Sequence, residues 1–454
     1  MNRICNRTKW LYAFAVAFAA ALIFLFFSFF TNARTWVVKE YNQHLYLNGQ
    51  LVGIGTITDR NGNPLVKTEN GKRVYNPNPE VRKATFHVVG DPEGFVSTGA
   101  QSAFKSQLTG YSIWNGLYGI EHNDQYNMRL TIDNELSAEA LRAMGNYKGA
   151  IGVYNYKTGE ILCMLSCPTY DPENKPDINT DSPEWNGVYM NRFISGTYTP
   201  GSTFKVITAA SALENIPDIK TQIFNCPGYY RTQSGGKVTC LSHHGNIDLR
   251  VALNQSCNSA FAKIAAAELT NQEITKTAEQ FGFNKPIILD GIKCAPSKID
   301  LSNAYDIDRA WAGIGQYTTM VNPCHEITIM GAIANKDGKT PNPTLIKKSF
   351  YNEKKLDYCS PVIATDLDDL LRSNVVNYYR DRSFEGLQMC GKTGTAEVAN
   401  AKCHSWFVGY SQRTDLPLAV VVVVENIGAT GSQIAIPIAN QVMQKAATIP
   451  NLTK

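Results

Sequence analysis

Trp10 to Phe30 is an unbroken run without a single charge. About 20 consecutive apolar residues are what an α-helix needs to cross a bilayer, and the run is longer than the usual apolar core of a cleaved signal peptide. The run therefore reads as a membrane-spanning anchor over residues 10–30, with the rest of the chain carried at one end. Arg3, Arg7 and Lys9 precede the run while Arg34 and Lys39 follow it, and the positive-inside bias modestly favours residues 1–9 in the cytoplasm and the body outside. A long cleaved signal ending at Thr31-Asn-Ala33 is the alternative, and it too exports the body.

Export bears on the cysteines. There are 11 in the sequence, and all but Cys5 would face an oxidising compartment. Cys163, Cys324 and Cys390 sit in apolar contexts and read as plain buried thiols. Cys226, Cys240, His243, His244 and Cys257 form a second group, open to three readings. They are unpaired thiols, a Cys240–Cys257 disulfide, or a zinc site drawn from Cys226, Cys240 and a histidine such as His244. Their spacing matches no compact zinc pattern. No other cofactor is called for. The net charge of +4 is small for 454 residues, and no basic stretch is interleaved with aromatics, so nucleic acid is not an expected partner.

The chemistry gathers around Ser202. Pro200 and Gly201 make a turn, and Ser202 to Glu214 has helical spacing, with Phe204, Ile207, Ala210 and Leu213 on one side. Ser202 opens that helix, and Lys205, three residues on, shares its face. A serine hydroxyl needs such a neighbour, because its own pKa is far too high for it to attack at neutral pH. One S-x-x-K pair is common by chance. Here Ser256-Cys257-Asn258 and Lys392-Thr393-Gly394-Thr395 follow it, in the order found in penicillin-binding proteins and serine β-lactamases.

The chain from about residue 130 to 449 resembles the transpeptidase domain of class B, monofunctional penicillin-binding proteins. The resemblance runs through LTID at 130–133, KTGEILCMLSCPTYDP at 157–172 and NRFISGTYTPGSTFK at 191–205. It continues in GIGQYTTMVNP at 313–323, AIANKDGK at 332–339, and GKTGTAE with HSWFVGY within 391–410. It implies an α+β fold: an antiparallel sheet with helices on both faces and an all-helical lobe, the active site lying between them. It also implies the substrate, the D-alanyl-D-alanine end of a peptidoglycan stem peptide, with a neighbouring stem's amine as acceptor. β-Lactams would acylate the same serine. Too little chain separates the anchor from the catalytic domain for a glycosyltransferase, so the resemblance implies a separate multi-span cell-wall glycosyltransferase as partner.

Each motif residue has an expected task. Lys205, desolvated and next to Lys392, reads as general base toward Ser202. Ser256 relays a proton to the leaving group, and Asn258 offers its amide to the substrate peptide. Lys392, with the Thr393 and Thr395 hydroxyls, meets the substrate carboxylate, while Gly394 lets the strand edge approach closely. By resemblance, the oxyanion hole is the backbone N–H pair of Ser202 and Thr395. Two alternatives stay open. One is a D,D-carboxypeptidase or β-lactamase using water as acceptor, although Glu268-Leu-Thr-Asn271 does not fit the E-x-x-L-N arrangement of class A β-lactamases. The other is a catalytically idle scaffold for a cell-wall polymerase.

Residues 33–127 have a different character. Asn48-Gly49, Asn61-Gly62 and Asn70-Gly71 punctuate short alternating runs, a hairpin signal, so this stretch reads as a small strand-rich pedestal. ITDRNGNPL resembles the membrane-proximal segment of the same family, with Ile54-Gly55 where an arginine-glycine pair is usual. The catalytic domain then spans 128–450. A helix near 137–144 precedes two strands joined at Lys157-Thr158-Gly159. Irregular stretches follow at 167–187 and 225–246, strands resume near Lys392, and a helix closes at 437–447.

Overall fold

The computed structural model describes residues 2–39, 45–47, 50–51, 54–111, 126–348, 354–398 and 401–453. Its first element is α1 (Asn2–Val37). Within it, residues 7–33 have a mean hydropathy of 2.5, so the helix is long and apolar enough to cross a membrane. Trp10, Phe14, Phe18 and Phe26 all point outward.

A four-stranded sheet crosses the boundary expected at 127/128, with three strands from the pedestal and the fourth from the first residues of the catalytic domain. Its strands are β1 (Ile57–Thr58), β2 (Pro64–Glu69), β3 (Lys72–Tyr75) and β4 (Met128–Arg129), in the order β3-β2-β1-β4. Asp59 builds the Asn61-Gly62 turn by accepting from the backbone N–H groups of Asn61 and Asn63 at 2.9 and 2.8 Å. The Asn48-Gly49 turn lies outside the described residues. The region also carries α2 (Pro79–Val89), whose start is signalled by Asn78 as N-cap and Pro79 in the first turn.

The Ile54-Gly55 segment is held by a guanidinium from the neighbouring sheet. Arg73, on β3, donates from Nη1 to the carbonyls of Ile54 and Gly55 at 3.2 and 3.1 Å, and to Thr68 at 2.9 Å. Contacts between the pedestal and the catalytic domain include the Arg82–Asp171 ion pair at 2.6 Å. Asn61 donates to Asp133 at 3.2 Å, and buried Arg60 lies 3.6 Å from buried Glu160.

Leu418–Val424 is seven apolar residues in a row with no polar face, so it fits only inside a sheet covered on both sides. It is the central strand, β9, of a five-stranded sheet with β5 (Gly149–Asn155), β6 (Ile161–Cys167), β7 (Met389–Val398) and β8 (Ala401–Ser411). The order is β7-β8-β9-β5-β6, antiparallel throughout.

The two-residue period sorts the β9 valines. Val420, Val422 and Val424 join Leu136 and Ala140 of α3 (Asn134–Met144), while Ala419, Val421 and Val423 belong to a second apolar cluster on the opposite face. That second cluster contains the helical lobe, including α4 (Lys205–Asn215) and α5 (Asn258–Lys263), and Ile327 and Met330 of α6 (Pro323–Ala334). It also takes in Leu367 and Leu371 of α7 (Pro361–Asn374). α8 (Ala435–Thr448) closes the first face with Val442 and Met443.

α6 is buried from Pro323 to Ile333, wedged between sheet and lobe. Gly331 permits this approach, since a β-carbon there would lie 2.8 Å from the Tyr154 ring. The result is a cleft with the edge strand β7 on one wall and the lobe on the other, as the resemblance implied.

Candidate active site

Ser202 sits in one 3-10 turn, Gly201–Phe204, which runs directly into α4. The tighter turn refines the expected helix start and helps the chemistry. With three residues per turn, positions i and i+3 eclipse, and Lys205 Nζ stands 3.1 Å from Ser202 Oγ. Two glycines make the turn fit. Gly201 has φ +56, and a β-carbon on it would lie 2.7 Å from the Thr395 carbonyl. Gly315 has φ +80 and accepts from the Gly201 N–H at 2.9 Å; a β-carbon there would meet the Gly201 carbonyl at 1.9 Å.

Lys205 is fully buried. Its amine contacts the Ser256 carbonyl and Asn258 Oδ1, each at 2.7 Å, and Ser256 Oγ at 3.2 Å. Burial, then the nearby charge of Lys392, holds it well below the ordinary lysine range. A neutral amine has two N–H donors and one lone pair. The Ser256 carbonyl and Asn258 Oδ1 can only accept and take both donors, which leaves the lone pair for the Ser202 hydroxyl proton.

The second motif comes from a strained turn. Ser256 has φ +52, a region sparsely populated for residues with a β-carbon, and such strain collects at functional sites. Next to it, Cys257 caps α5, its sulphur accepting from the Ala260 N–H at 3.4 Å. Asn258 uses its amide N–H on the Thr239 carbonyl at 3.1 Å, so its oxygen is the atom presented to Lys205.

The third motif is on the edge strand β7, where Lys392, Thr393, Gly394 and Thr395 pair with Val408, Phe407, Trp406 and Ser405. Lys392 is buried, donates to Ser256 Oγ at 3.1 Å, and has its pKa lowered to about 7 by desolvation. A β-carbon at Gly394 would stand 2.5 Å from the Pro200 carbonyl, so this glycine lets the strand close on the Ser202 turn, as expected. Thr395 is exposed. Thr393 is engaged: its hydroxyl lies 2.8 Å from the Tyr379 hydroxyl, which also accepts from the Thr393 N–H at 2.9 Å.

Tyr379 escaped the sequence reading. It ends a π-helical turn, Val375–Tyr379, that continues α7. Such turns gather at functional sites, yet NVVNYYRD carries no spacing that announces one. His404 accepts from the Asn426 N–H at 3.2 Å and packs on Tyr198.

The cysteines divide as the sequence suggested. Cys163, Cys324 and Cys390 are buried thiols. Cys240 and Cys257 do come together, but as free thiols with sulphurs 3.8 Å apart. Cys226 and His244 converge on the same point, and Cys257 joins them as a fourth member that the proposed zinc set of Cys226, Cys240 and His244 omitted. The spacing hides the group because its members come from a strand end, a loop and a helix cap.

A serine–lysine centre between an antiparallel sheet and a helical lobe defines the class shared by penicillin-binding proteins and serine β-lactamases. The family described as penicillin binding protein transpeptidase domain matches residues 149–444. Peptidoglycan D,D-transpeptidase PbpA of Mycolicibacterium smegmatis is 29% identical over 458 residues, covering 88% of this chain and 89% of that protein. The imipenem acyl-enzyme complex of penicillin-binding protein A from M. tuberculosis superposes with a TM-score of 0.75 at 25% identity, covering 87% of this chain and 98% of that one. The D,D-transpeptidase domain of a peptidoglycan glycosyltransferase from Eggerthella lenta gives 0.73 at 27% identity, covering 88% and 99%. This chain belongs to the penicillin-binding protein transpeptidase family, among its class B members.

Proposed function

We propose that this protein is a peptidoglycan D,D-transpeptidase that works through an acyl-enzyme on Ser202 and is inhibited by β-lactams. The observation that carries this reading is the Lys205 amine, buried and 3.1 Å from Ser202 Oγ with both donors engaged elsewhere. Lys205 takes the serine proton as Oγ attacks the carbonyl of the penultimate D-alanine. The Ser202 and Thr395 N–H groups carry the oxyanion, and Ser256 passes a proton from Lys205 to the departing D-alanine amine. The amine of a second stem peptide then attacks the ester carbonyl, the bond to Ser202 Oγ breaks, and the amine's proton passes through Lys205 to restore the Ser202 hydroxyl. Asn258 holds the donor peptide, and Lys392 with Thr393 and Thr395 holds its terminal carboxylate. Met389, Gly391 and Thr393 already meet Arg372, Asn374 and Tyr379 through their backbone groups, so it is the edge of β7 at Thr395 that suits a peptide lying as an added strand.

α1 supports a single-pass anchor in the cytoplasmic membrane, with residues 1–9 cytoplasmic and the rest outside. The same helix and the pedestal would dock a multi-span glycosyltransferase that supplies the glycan strands. Unchanged co-purification with such a polymerase after exchanging residues 10–30 would oppose that docking.

The activity is tested by giving the full chain in detergent a stem pentapeptide with an acceptor amine and following products by mass. Release of D-alanine with a cross-linked product is expected. Release without cross-linking, water being the acceptor, would make it a carboxypeptidase, and no release would favour the idle scaffold.

A further inference from the structure

We propose that Cys226, Cys240, His244 and Cys257 bind one soft divalent cation, zinc by chemical preference, in a closed tetrahedral site behind the Ser256–Asn258 turn. Their four donor atoms all lie within 4.8 Å of one another. His244 Nδ1 is 3.4 Å from Cys226 Sγ and 3.5 Å from Cys240 Sγ, and Cys240 Sγ is 3.8 Å from Cys257 Sγ. With zinc–sulphur bonds of about 2.3 Å and zinc–nitrogen bonds of about 2.0–2.1 Å, a tetrahedron has edges of about 3.8 Å between sulphurs and about 3.5 Å from sulphur to nitrogen. The three distances match those edges.

The alternatives explain less. A disulfide needs its sulphurs at about 2.05 Å and would leave Cys226 and His244 aimed at a bonded pair. Thiol hydrogen bonds fail on valence, because one ring nitrogen has one proton or one lone pair to share and His244 Nδ1 faces two sulphurs at once. Backbone N–H groups point at the sulphurs as well, from Asn258 to Cys240 at 3.2 Å and from Ala260 to Cys257 at 3.4 Å. Donors of that kind stabilise thiolates and fix ligand orientation. Three sulphurs and an imidazole select zinc over the hard cations, and four protein ligands leave no open position for water, so the ion is structural rather than catalytic.

Its place gives it a task. Cys257 stands between Ser256 and Asn258, and Cys240 follows Thr239, whose carbonyl holds the Asn258 amide. The 225–246 segment, expected to be irregular, forms two short antiparallel strand pairs, and the cation pins them to the turn that positions the proton relay and the Lys205 partner. Zinc content is read without any turnover, so this inference stands or falls apart from the transpeptidase reading.

The test is metal analysis of the full chain purified in detergent, under reducing conditions and without a chelating column. About one zinc per chain is expected in the wild type and in Ser202→Ala, with loss of at least about nine-tenths of it in Cys226→Ser. Stripping the metal is expected to slow labelling by a fluorescent penicillin about tenfold, with recovery on adding zinc. If Cys226→Ser does not fold, cobalt exchanged into the wild type decides the matter by its thiolate-to-metal charge-transfer and tetrahedral ligand-field absorption. Wild-type protein that neither carries zinc nor takes up zinc or cobalt overturns the proposal. So does a Cys240–Cys257 disulfide found in protein taken directly from cells, or full zinc content in a folded Cys226→Ser variant.

Discussion

Lys205 and Lys392 meet at one atom: both lie within hydrogen-bond distance of Ser256 Oγ, at 3.2 and 3.1 Å. Both are fully buried, and two cations sharing one hydroxyl in a desolvated pocket would repel each other strongly. Burial lowers both pKa values, and Lys392 lowers that of Lys205 further. Both shifts favour the neutral form, and the added push of Lys392 on Lys205 suits Lys205 to the part of base and leaves Lys392 to meet a carboxylate.

That division has a pH signature. Lys392 titrates at about 7, so above it the free enzyme loses the cation that meets a ligand carboxylate. The second-order rate constant for acylation reports the free enzyme. For a penicillin bearing its carboxylate it is expected to fall several-fold from pH 7 to 9, whereas for a carboxyl-esterified analogue the fall is absent. Stopped-flow labelling across that range checks this, and a flat profile for the free acid would remove Lys392 from carboxylate binding.

Tyr379 is a positioning residue, acting through Thr393. Tyr379→Phe leaves the Thr393 N–H and hydroxyl without the partner they have at 2.9 and 2.8 Å. A lost buried hydrogen bond costs about 1–3 kcal/mol, felt where β7 meets the ligand. The expected result is a rise of about tenfold in the dissociation constant of the initial penicillin complex, with a smaller change in the acylation step. Equal effects on both steps would assign Tyr379 to the chemistry itself.

Glu326 lies buried in α6, and desolvation lifts its pKa to about 7. A carboxyl raised in the folded state holds a proton that the unfolded chain releases. Stability therefore falls as pH rises from the ordinary glutamate value through 7, by up to about 3 kcal/mol. Glu326→Gln should abolish that part of the slope. Urea melts of both proteins at pH 4.5 and 8 measure it, and parallel pH dependence would show that Glu326 is ionised in the fold.

Gly315→Ala is expected to be among the most damaging single-methyl additions. The site combines φ +80 with a backbone oxygen 1.9 Å from the new atom, so the Ser202 turn must move. The left-handed backbone alone costs about 1 kcal/mol or more for alanine, and the clash adds to it. A lower melting temperature together with slower penicillin labelling is the expected outcome; an unchanged pair would mean that the turn relaxes freely.

Much of this was legible in the residues themselves. The apolar run at 10–30 lies within one helix, LAVVVVV is the central strand of the sheet, and the three ordered motifs each carry a local pattern and come together in the structure. What stayed hidden depends on convergence across long sequence separations. Tyr379 and Thr393 meet through a π-helical turn, Arg73 reaches the Ile54 and Gly55 carbonyls, and Cys257 completes a ligand set begun at Cys226. α2 was legible but overlooked, since Asn78-Pro79 is an ordinary helix start among hairpin signals.

The central claim is that Ser202 is the nucleophile and Lys205 its base. Intact-mass analysis of the full chain after incubation with benzylpenicillin tests both at once. The expected result is a stable adduct of one penicillin on the wild type, none on Ser202→Ala, and labelling slowed at least about a hundredfold in Lys205→Ala. An adduct retained on folded Ser202→Ala, or formed at the wild-type rate in Lys205→Ala, would contradict it.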